Sequence, residues 1–550
     1  MNDLSRFPAN LLLWAGILLA FLGASGLQAR QVGLAERLVL APEPQSVRYE
    51  KETRVFPKEF AVRGLDFANP GHDTTVETLR SLQNVLTDSV VTFRDTGEYL
   101  IQFVASESIA HRDGYRLEAT DAGITVSYRA VEGLFYGAQT VYQLIAHAEA
   151  GHTLLFFDEV LAESVKSLPV LTIDDAPAYA TRSFLVDLGR APFSLSYLKR
   201  IVRIAAHLKL NTLHVRLYDD ELAGFRFAHL PIGRENPFAL NAADLRELVR
   251  YARRYHVAII PELESWAHVQ SVTYHFPWLR GADGMWGGAS FGIGEPTYAL
   301  LEKIYDEIIP CLEDTAAVHV GLDEAVWSVL PGEEARGHTP ENMVGRIHEI
   351  LMKVAERHRK KITMHLWADH GGRPIPAAIK DRVVVQPWGY HDTMKDEIIK
   401  KLKVFGGAGK TPVMMGAGVS WIRANGDYEA SRHWAQAGLD YPNVEGITLC
   451  LWGTNDVAGR LMTLFGGAGV AWSPQTFVRA SNDPLGEYLR NRKDREMKKW
   501  QAIFPDADRR SLDLERVPDV LVGRYVDWPL AGKPVAPTAE SPGYSPTRKP

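Results

Sequence analysis

The sequence predicts an α/β protein: a (β/α)8 TIM barrel that follows a smaller α+β domain. Two observations lead to this fold class. Up to about residue 170, apolar and polar residues alternate as in half-buried strands, and a helical run lies near the end of that segment. From Ala180 onward, eight short β-branched runs alternate with amphipathic helical segments, which is typical of parallel strands joined by helices.

Composition agrees with a large globular enzyme or binding protein. The chain has 550 residues, of which 46% are hydrophobic, so it exceeds one small module and can bury a large core. Its 61 basic and 67 acidic residues give a net charge of -6, which predicts no nucleic-acid partner. The two cysteines, Cys311 and Cys450, lie far apart in apolar runs and predict free buried thiols. No metal or cofactor is expected.

The first 29 residues predict a signal peptide. Arg6 precedes an apolar stretch from Leu11 to Ala24, and small residues at Ala24-Ser25-Gly26 or Leu27-Gln28-Ala29 offer a cleavage site. The stretch is shorter than the roughly 20 residues of a membrane span. We therefore expect a periplasmic or secreted bacterial protein, with an inner-membrane anchor as the alternative if the segment is not cleaved.

The α+β domain is predicted over residues 36–172. Alternating segments at 115–119 and 123–128 indicate strands, and the apolar spacing from Ala130 to Ile145 indicates a helix.

The barrel is predicted over residues 176–470. Its strands are expected at Arg182–Asp187, Thr212–Leu217, Val257–Leu263, Ala317–Leu322, Ile362–Trp367, Arg382–Gln386, Pro412–Gly416 and Gly446–Trp452. A helical extension over 471–528 follows, and six prolines between 529 and 550 predict a disordered tail.

Chemistry in this fold lies at the carboxyl ends of the strands, so the residues that close each apolar run are the candidate site. They are Asp187, Arg190, Asp219, Asp220, Glu262, His268, Asp323, Glu324, Trp367, Trp388, Tyr390, Trp452, Asn455 and Asp456. Carboxylates, an arginine and aromatic rings together suit a sugar. Because Asp323 and Glu324 are adjacent, their side chains point differently and suit two roles in glycoside hydrolysis: proton donation and orientation of a substrate amide.

These motifs resemble those of family 20 glycoside hydrolases, the β-N-acetylhexosaminidases. His319-Val-Gly-Leu-Asp323-Glu324 is similar to the family's His-x-Gly-Gly-Asp-Glu motif. Further similar segments follow the family's order along the chain: Glu132–Gln139, Leu171–Arg190, Leu210–His214, Tyr218–Asp220 and Pro261–His268.

The resemblance implies a role for each candidate. Glu324 is the general acid and then the base, with a pKa raised by a pocket walled by Trp367, Trp388 and Trp452. Asp323 orients the acetamido group, whose carbonyl attacks the anomeric carbon. Arg190 binds sugar hydroxyls, with Asn455 or Asp456 on the opposite side. His268, paired with Asp219 or Asp220, orients Glu324, and Asp187 and Glu262 lie behind the residues that touch substrate.

The sequence also departs from the family pattern. Leu322 replaces the usual second glycine, and Arg216 and Tyr218 stand in a segment that usually reads Trp-His-x-x-Asp-Asp. The family's Tyr-x-Asp pair is not visible after the seventh strand, so we expect Tyr390 to supply its hydroxyl. Thr454 stands where many members have a glutamate.

The predicted function is exo-acting hydrolysis of terminal N-acetylhexosamine from a glycan, by a retaining, substrate-assisted mechanism. Two alternatives remain open: a barrel glycosidase with an ordinary carboxylate nucleophile such as Glu262, and a non-catalytic glycan-binding relative. The sequence leaves open GlcNAc or GalNAc preference, the linkage, sulfated or peptidoglycan-derived substrates, and the oligomeric state.

Overall fold

The computed structural model describes residues 40–475 with nine gaps, at 53–55, 150–153, 157–158, 163–165, 285–287, 370–374, 392–393, 421–428 and 454–456. The predicted signal peptide, most of the predicted helical extension and the predicted tail lie outside the described residues. Within the described part, no helix is both long and apolar enough to cross a bilayer.

The amino-terminal domain is a seven-stranded sheet with one helix packed along it. The strands, in sheet order, are β1 (Ser46–Glu52), β9 (Pro169–Asp175), β5 (Tyr115–Ala119), β6 (Gly123–Tyr128), β4 (Tyr99–Ala105), β2 (Glu59–Arg63) and β3 (Val90–Phe93). The helices are α1 (Asp73–Ser81) and α2 (Val131–Glu149), and β7 (Leu154–Phe156) pairs with β8 (Glu159–Ala162).

Helix α2 lies between this sheet and the next domain. Every residue from Gly133 to Glu149 is buried, as expected of a helix covered on all sides. On one side Gly137 approaches Val126 of β6 and Tyr115 of β5 closely, whereas on the other Tyr136 packs against Trp472.

The second domain is a closed barrel of eight parallel strands, which confirms the predicted fold class. The strands are β10 (Thr181–Asp187), β11 (Thr212–Arg216), β12 (Ala258–Glu262), β15 (Thr315–His319), β16 (Lys361–Trp367), β17 (Val383–Gln386), β19 (Val413–Ser420) and β20 (Val444–Leu451). Strand β20 pairs with β10 and so closes the ring. Each observed strand overlaps one of the eight predicted segments.

Helices and short excursions connect the strands. They are α3 (Leu195–His207), α4 (Ala242–Arg254), α5 (Gln270–Thr273), β13 (Arg280–Asp283), β14 (Ala289–Phe291), α6 (Glu295–Ile308), α7 (Met343–Arg357), β18 (Trp388–Gly389), α8 (Lys395–Phe405), α9 (Glu429–Gly438) and α10 (Val457–Trp472). Local sequence fixes their starts. Ser194 caps α3, and Asn241 with Asp244 forms a capping box on α4.

A buried polar junction joins the two domains at the amino ends of the barrel strands. Lys209 donates to Asp175 at 3.1 Å and to the Tyr115 hydroxyl at 2.8 Å, and the Trp472 indole also donates to Asp175, at 2.8 Å. Arg182, at the start of β10, pairs with Asp113 of the first domain. The junction leaves the carboxyl ends of the strands open for a site.

Candidate active site

The loop after β15 carries Asp323 and Glu324 in a strained backbone. Gly321, Leu322 and Glu324 all have left-handed φ angles, of 69°, 78° and 50°. Leucine rarely adopts this conformation, and strain of this kind concentrates at functional sites. The side chains of Asp323 and Glu324 are 14% and 20% exposed, so both are partly accessible, although Oδ1 of Asp323 is itself buried.

His268 contacts both of these acids. Its Nε2 lies 3.3 Å from Glu324 Oε2 and 3.6 Å from Asp323 Oδ2, while its Nδ1 lies 3.0 Å from Asp220 Oδ2. Burial acts to lower the pKa of His268, but Asp219 and Asp323 outweigh it and raise that pKa well above its ordinary value. The ring is therefore a cation at neutral pH, with Nδ1–H directed at Asp220 and its single Nε2–H lying between the two acids.

Backbone amides hold Asp220 in place beneath His268. Its Oδ1 accepts from the amides of Gln270 and Ala289, each at 3.0 Å. A β-carbon on Gly288 would lie 1.8 Å from the same carboxylate, so only glycine permits this approach. The predicted pairing of His268 with Asp219 or Asp220 is thus present in both forms, at 3.4 Å and 3.0 Å.

Arg190, from the β10 loop, is held by three carboxylates. It lies 3.2 Å from both Asp187 and Asp219 and 3.5 Å from Glu221. Burial raises the pKa of Asp187 to about 6, although Arg190 opposes the rise. Three partners fix the guanidinium in one orientation, as recognition of sugar hydroxyls requires. Glu221 is a site residue that sequence reasoning missed.

Arg216, the last residue of β11, is a second buried cation that sequence reasoning recorded only as a departure from the family pattern. Its guanidinium lies 2.5 Å from Asp219, 2.9 Å from Glu264, 3.1 Å from Glu262 and 3.7 Å from Asp323. The sequence signal that could have revealed it is an arginine inside a predicted strand. The structure buries that strand throughout, where an unpaired arginine is rarely found.

The aromatic candidates divide into two layers. Trp367 and Trp452 pack with Leu185 and Cys450 in the barrel core, and Trp367 is only 1% exposed. Trp388 and Tyr390 pack against that layer, are half-buried, and stack on each other at 5.2 Å. Trp388 and Tyr390 are therefore the more accessible surfaces for a ligand.

Asp369 connects the aromatic layer to the acid loop and was not among the predicted site residues. It accepts from the Glu324 amide and from the Trp388 indole, both at 3.0 Å. Its place two residues beyond the end of β16 was the signal that could have found it.

Glu262 lies below the accessible surface. It is fully buried, accepts from the Trp367 indole at 2.6 Å, and lies 3.0 Å from His214. Burial acts to raise the pKa of Glu262, but Arg216 and His319 outweigh it and hold that pKa well below its usual range. Glu262 is thus a buried anion with fixed partners.

Three groups among the described residues have metal-ligand chemistry: His214 with Glu262 and His319, Asp219 with Asp220 and His268, and Glu262 with Glu264 and Asp323, all three of which Arg216 contacts. In the first group Arg216 already contacts Glu262, and in the second His268 is itself cationic. Local cations therefore already balance these carboxylates. Asn455 and Asp456 lie outside the described residues, so their predicted role in sugar binding stays a prediction.

Two family models match the chain in the order of its two domains. Glycosyl hydrolase family 20, domain 2, matches residues 38–176, and Glycosyl hydrolase family 20, catalytic domain, matches residues 179–404.

Named relatives agree with these models. The beta-hexosaminidase subunit beta of Entamoeba histolytica is 23% identical over 349 residues, covering 59% of each chain. The beta-N-acetylhexosaminidase of Cellulomonas fimi is 27% identical over 246 residues, covering 39% of this chain and 44% of that protein. The chain thus spans less than two thirds of the length of these relatives.

Solved structures share the fold. An N-acetyl-beta-hexosaminidase of Streptomyces plicatus, in complex with Thio-NAglucal, matches with a TM-score of 0.58 and 21% identity over 82% of this chain and 93% of that one. A GH20 exo beta-N-acetylglucosaminidase of Vibrio harveyi matches with a TM-score of 0.62 and 17% identity, over 86% and 78% of the two chains. From its two domain matches and the arrangement of its acids, the chain belongs to glycosyl hydrolase family 20.

Proposed function

We propose that this protein is an exo-acting β-N-acetylhexosaminidase that removes terminal N-acetylhexosamine from glycans with retention of configuration. One observation carries the proposal: Asp323 and Glu324 are adjacent, partly exposed and both in contact with the cationic His268. A barrel that presents two acids in this way can provide a proton donor and a group that orients the substrate amide.

The reaction divides between the two acids. The acetamido carbonyl oxygen of the substrate attacks the anomeric carbon as the glycosidic bond breaks, and Glu324 gives its proton to the leaving oxygen. Asp323 accepts from the amide N–H and balances the positive charge of the resulting oxazolinium ion. Glu324 then takes a proton from water, which attacks the anomeric carbon and opens the ring.

The arrangement of Glu262 argues against an ordinary carboxylate nucleophile. Glu262 is fully buried, and His214, Arg216 and Trp367 contact its two oxygens. A nucleophile must reach the anomeric carbon, and the side chains of Asp323 and Glu324 are more exposed than that of Glu262.

The decisive test compares Glu324→Gln and Asp323→Asn with wild type on aryl 2-acetamido-β-glycosides of gluco and galacto configuration. Glu324→Gln should lose about 10²- to 10⁴-fold in kcat, the range that a positioned acid or base contributes, and Asp323→Asn about 10²- to 10³-fold, the range for loss of one electrostatic stabiliser. An aryl glucoside without the acetamido group should not be cleaved, because the substrate then lacks its nucleophile. Near-wild-type rates in both variants would contradict the proposal. Tight binding of a thiazoline mimic without turnover of either sugar would identify a glycan-binding protein instead.

We also propose that the protein is exported to the periplasm or the medium, and that it stays at the inner membrane if the first 29 residues are not cleaved. The support is the sequence pattern of Arg6 followed by the apolar stretch from Leu11 to Ala24. Cell fractionation with mass measurement of the mature amino terminus tests this. A cytoplasmic protein that retains residues 1–29 would refute it.

A further inference from the structure

Arg216 is shared among four carboxylates that come from the carboxyl ends of three neighbouring strands. Asp219 follows β11, Glu262 and Glu264 lie at the end of β12, and Asp323 follows β15, yet all four approach one fully buried guanidinium. Burying such a cation is costly unless it is paired, so its partners depend on it as it depends on them.

The four carboxylates differ in what else neutralises them. Asp219 also pairs with Arg190 and His268, and Glu262 also contacts His214. Among the residues that the structure describes, Asp323 has only His268 as a further cation, and Glu264 has no second cation at ion-pair distance. Removal of Arg216 would therefore affect Asp323 and Glu264 most.

The ionisation of Asp323 reflects this dependence. Burial raises the pKa of Asp323 to about 6, Arg216 and His268 oppose the rise, and Asp369 and Glu262 add to it. Glu264 faces the same carboxylate as a further acid. Without Arg216, three acids and one imidazolium would surround Asp323.

We propose that Arg216 is a positioning residue for Asp323: its guanidinium keeps that side chain a carboxylate and aims it at the substrate amide. The inference rests on the proposed hydrolase function. Arg216 does not need to touch the sugar, because it acts through Asp323.

The competing explanation is that Arg216 only stabilises the folded barrel. The pH dependence of kcat/KM distinguishes this explanation from the proposal. The acid limb of kcat/KM reports protonation of a group that must be ionised in the free enzyme. An arginine next to an aspartate lowers the aspartate pKa by about one to three units. Arg216→Gln should therefore move the acid limb upward by about one to three pH units and reduce kcat/KM below that limb by about 10- to 1000-fold.

Two further variants sharpen the test. Arg216→Lys keeps the charge but not the fork that spans several carboxylates, so the limb should stay near its wild-type position while kcat falls about tenfold or more and KM changes little. Arg182→Gln removes another arginine that is 1% exposed and ion-paired, but at the opposite end of the barrel. It should lower Tm without moving the limb.

A folded Arg216→Gln enzyme whose acid limb coincides with that of wild type would overturn the inference. If Arg216→Gln does not fold, the comparison of Arg216→Lys with Arg182→Lys decides, and equal kcat in those two variants would overturn it. The affinity for the thiazoline mimic, measured as a function of pH, reports the same ionisation without turnover. An inactive wild type that binds the mimic therefore refutes the proposed hydrolysis and leaves the Arg216 test intact.

Discussion

A methyl group added at Gly321 should lower both the stability and the activity of the protein. Its φ of 69° is left-handed, and a β-carbon there would lie 2.0 Å from Oε2 of the fully buried Glu264. Gly337 is the matched control, because its φ is 84° and a β-carbon there would meet no atom within 4 Å. Alanine at either position pays the left-handed penalty of about 1–2 kcal/mol, but only alanine at 321 displaces a carboxylate.

The displaced Glu264 would lose its 2.9 Å contact with Arg216. Because burial raises the pKa of Glu264, the lost contact is worth less than a fully ionised pair. A buried polar group left without its partner costs about 1–3 kcal/mol, so Gly321→Ala should lose about 2–5 kcal/mol in total against about 1–2 kcal/mol for Gly337→Ala. Thermal unfolding with kcat/KM measured at the same pH provides the assay. We expect a much lower Tm and reduced activity for Gly321→Ala alone. Equal losses of stability in the two variants would show that Glu264 moves aside freely and that the packing argument is wrong.

Three other outcomes follow from the geometry. Because the pKa of Asp323 is about 6 and the proposed mechanism needs it ionised, activity should fall as the pH drops through about 6; a kcat/KM profile that stays flat down to pH 4 would contradict this. Asp369→Asn retains a single acceptor oxygen for two donors, so the Glu324 loop should loosen and kcat should fall about tenfold with little change in Tm; the reverse pattern would assign Asp369 to stability alone. Lys209→Met strips Asp175 of its buried cation and should cost about 3–5 kcal/mol in unfolding experiments while the pH profile stays in place; a shifted profile would argue against a purely structural junction.

The fold and the two central acids were predictable because both depend on local pattern. Short β-branched runs separated by amphipathic helices indicate a parallel barrel, and Asp323 and Glu324 directly follow one such run. Arg216 and Asp369 were harder to find. Their importance depends on carboxylates, amides and rings contributed by neighbouring strands, and sequence spacing does not reveal which of these meet.

The aromatic residues illustrate the same limit. Trp367 and Trp388 both stand at strand ends, but one is 1% exposed whereas the other is half-buried. Which side of a strand end faces the ligand depends on barrel tilt and on the next layer of side chains. Position along the chain therefore predicted which strand ends form the site, but not which aromatic ring is accessible there.

The interdomain junction also fixes when its contacts can form during synthesis of the chain. Gln45 donates to the carbonyl of Trp472 at 2.9 Å across 427 residues of sequence, and Asp175 accepts from the indole of that same tryptophan. During synthesis from the amino terminus, the first domain emerges long before α10 exists. Until α10 is made, Asp175 lacks the indole donor, and its donors are Tyr115 and Gln45 of the first domain and then Lys209. A chain truncated before Trp472 would thus lose contacts of both domains at this junction, and the exposed surface would favour aggregation.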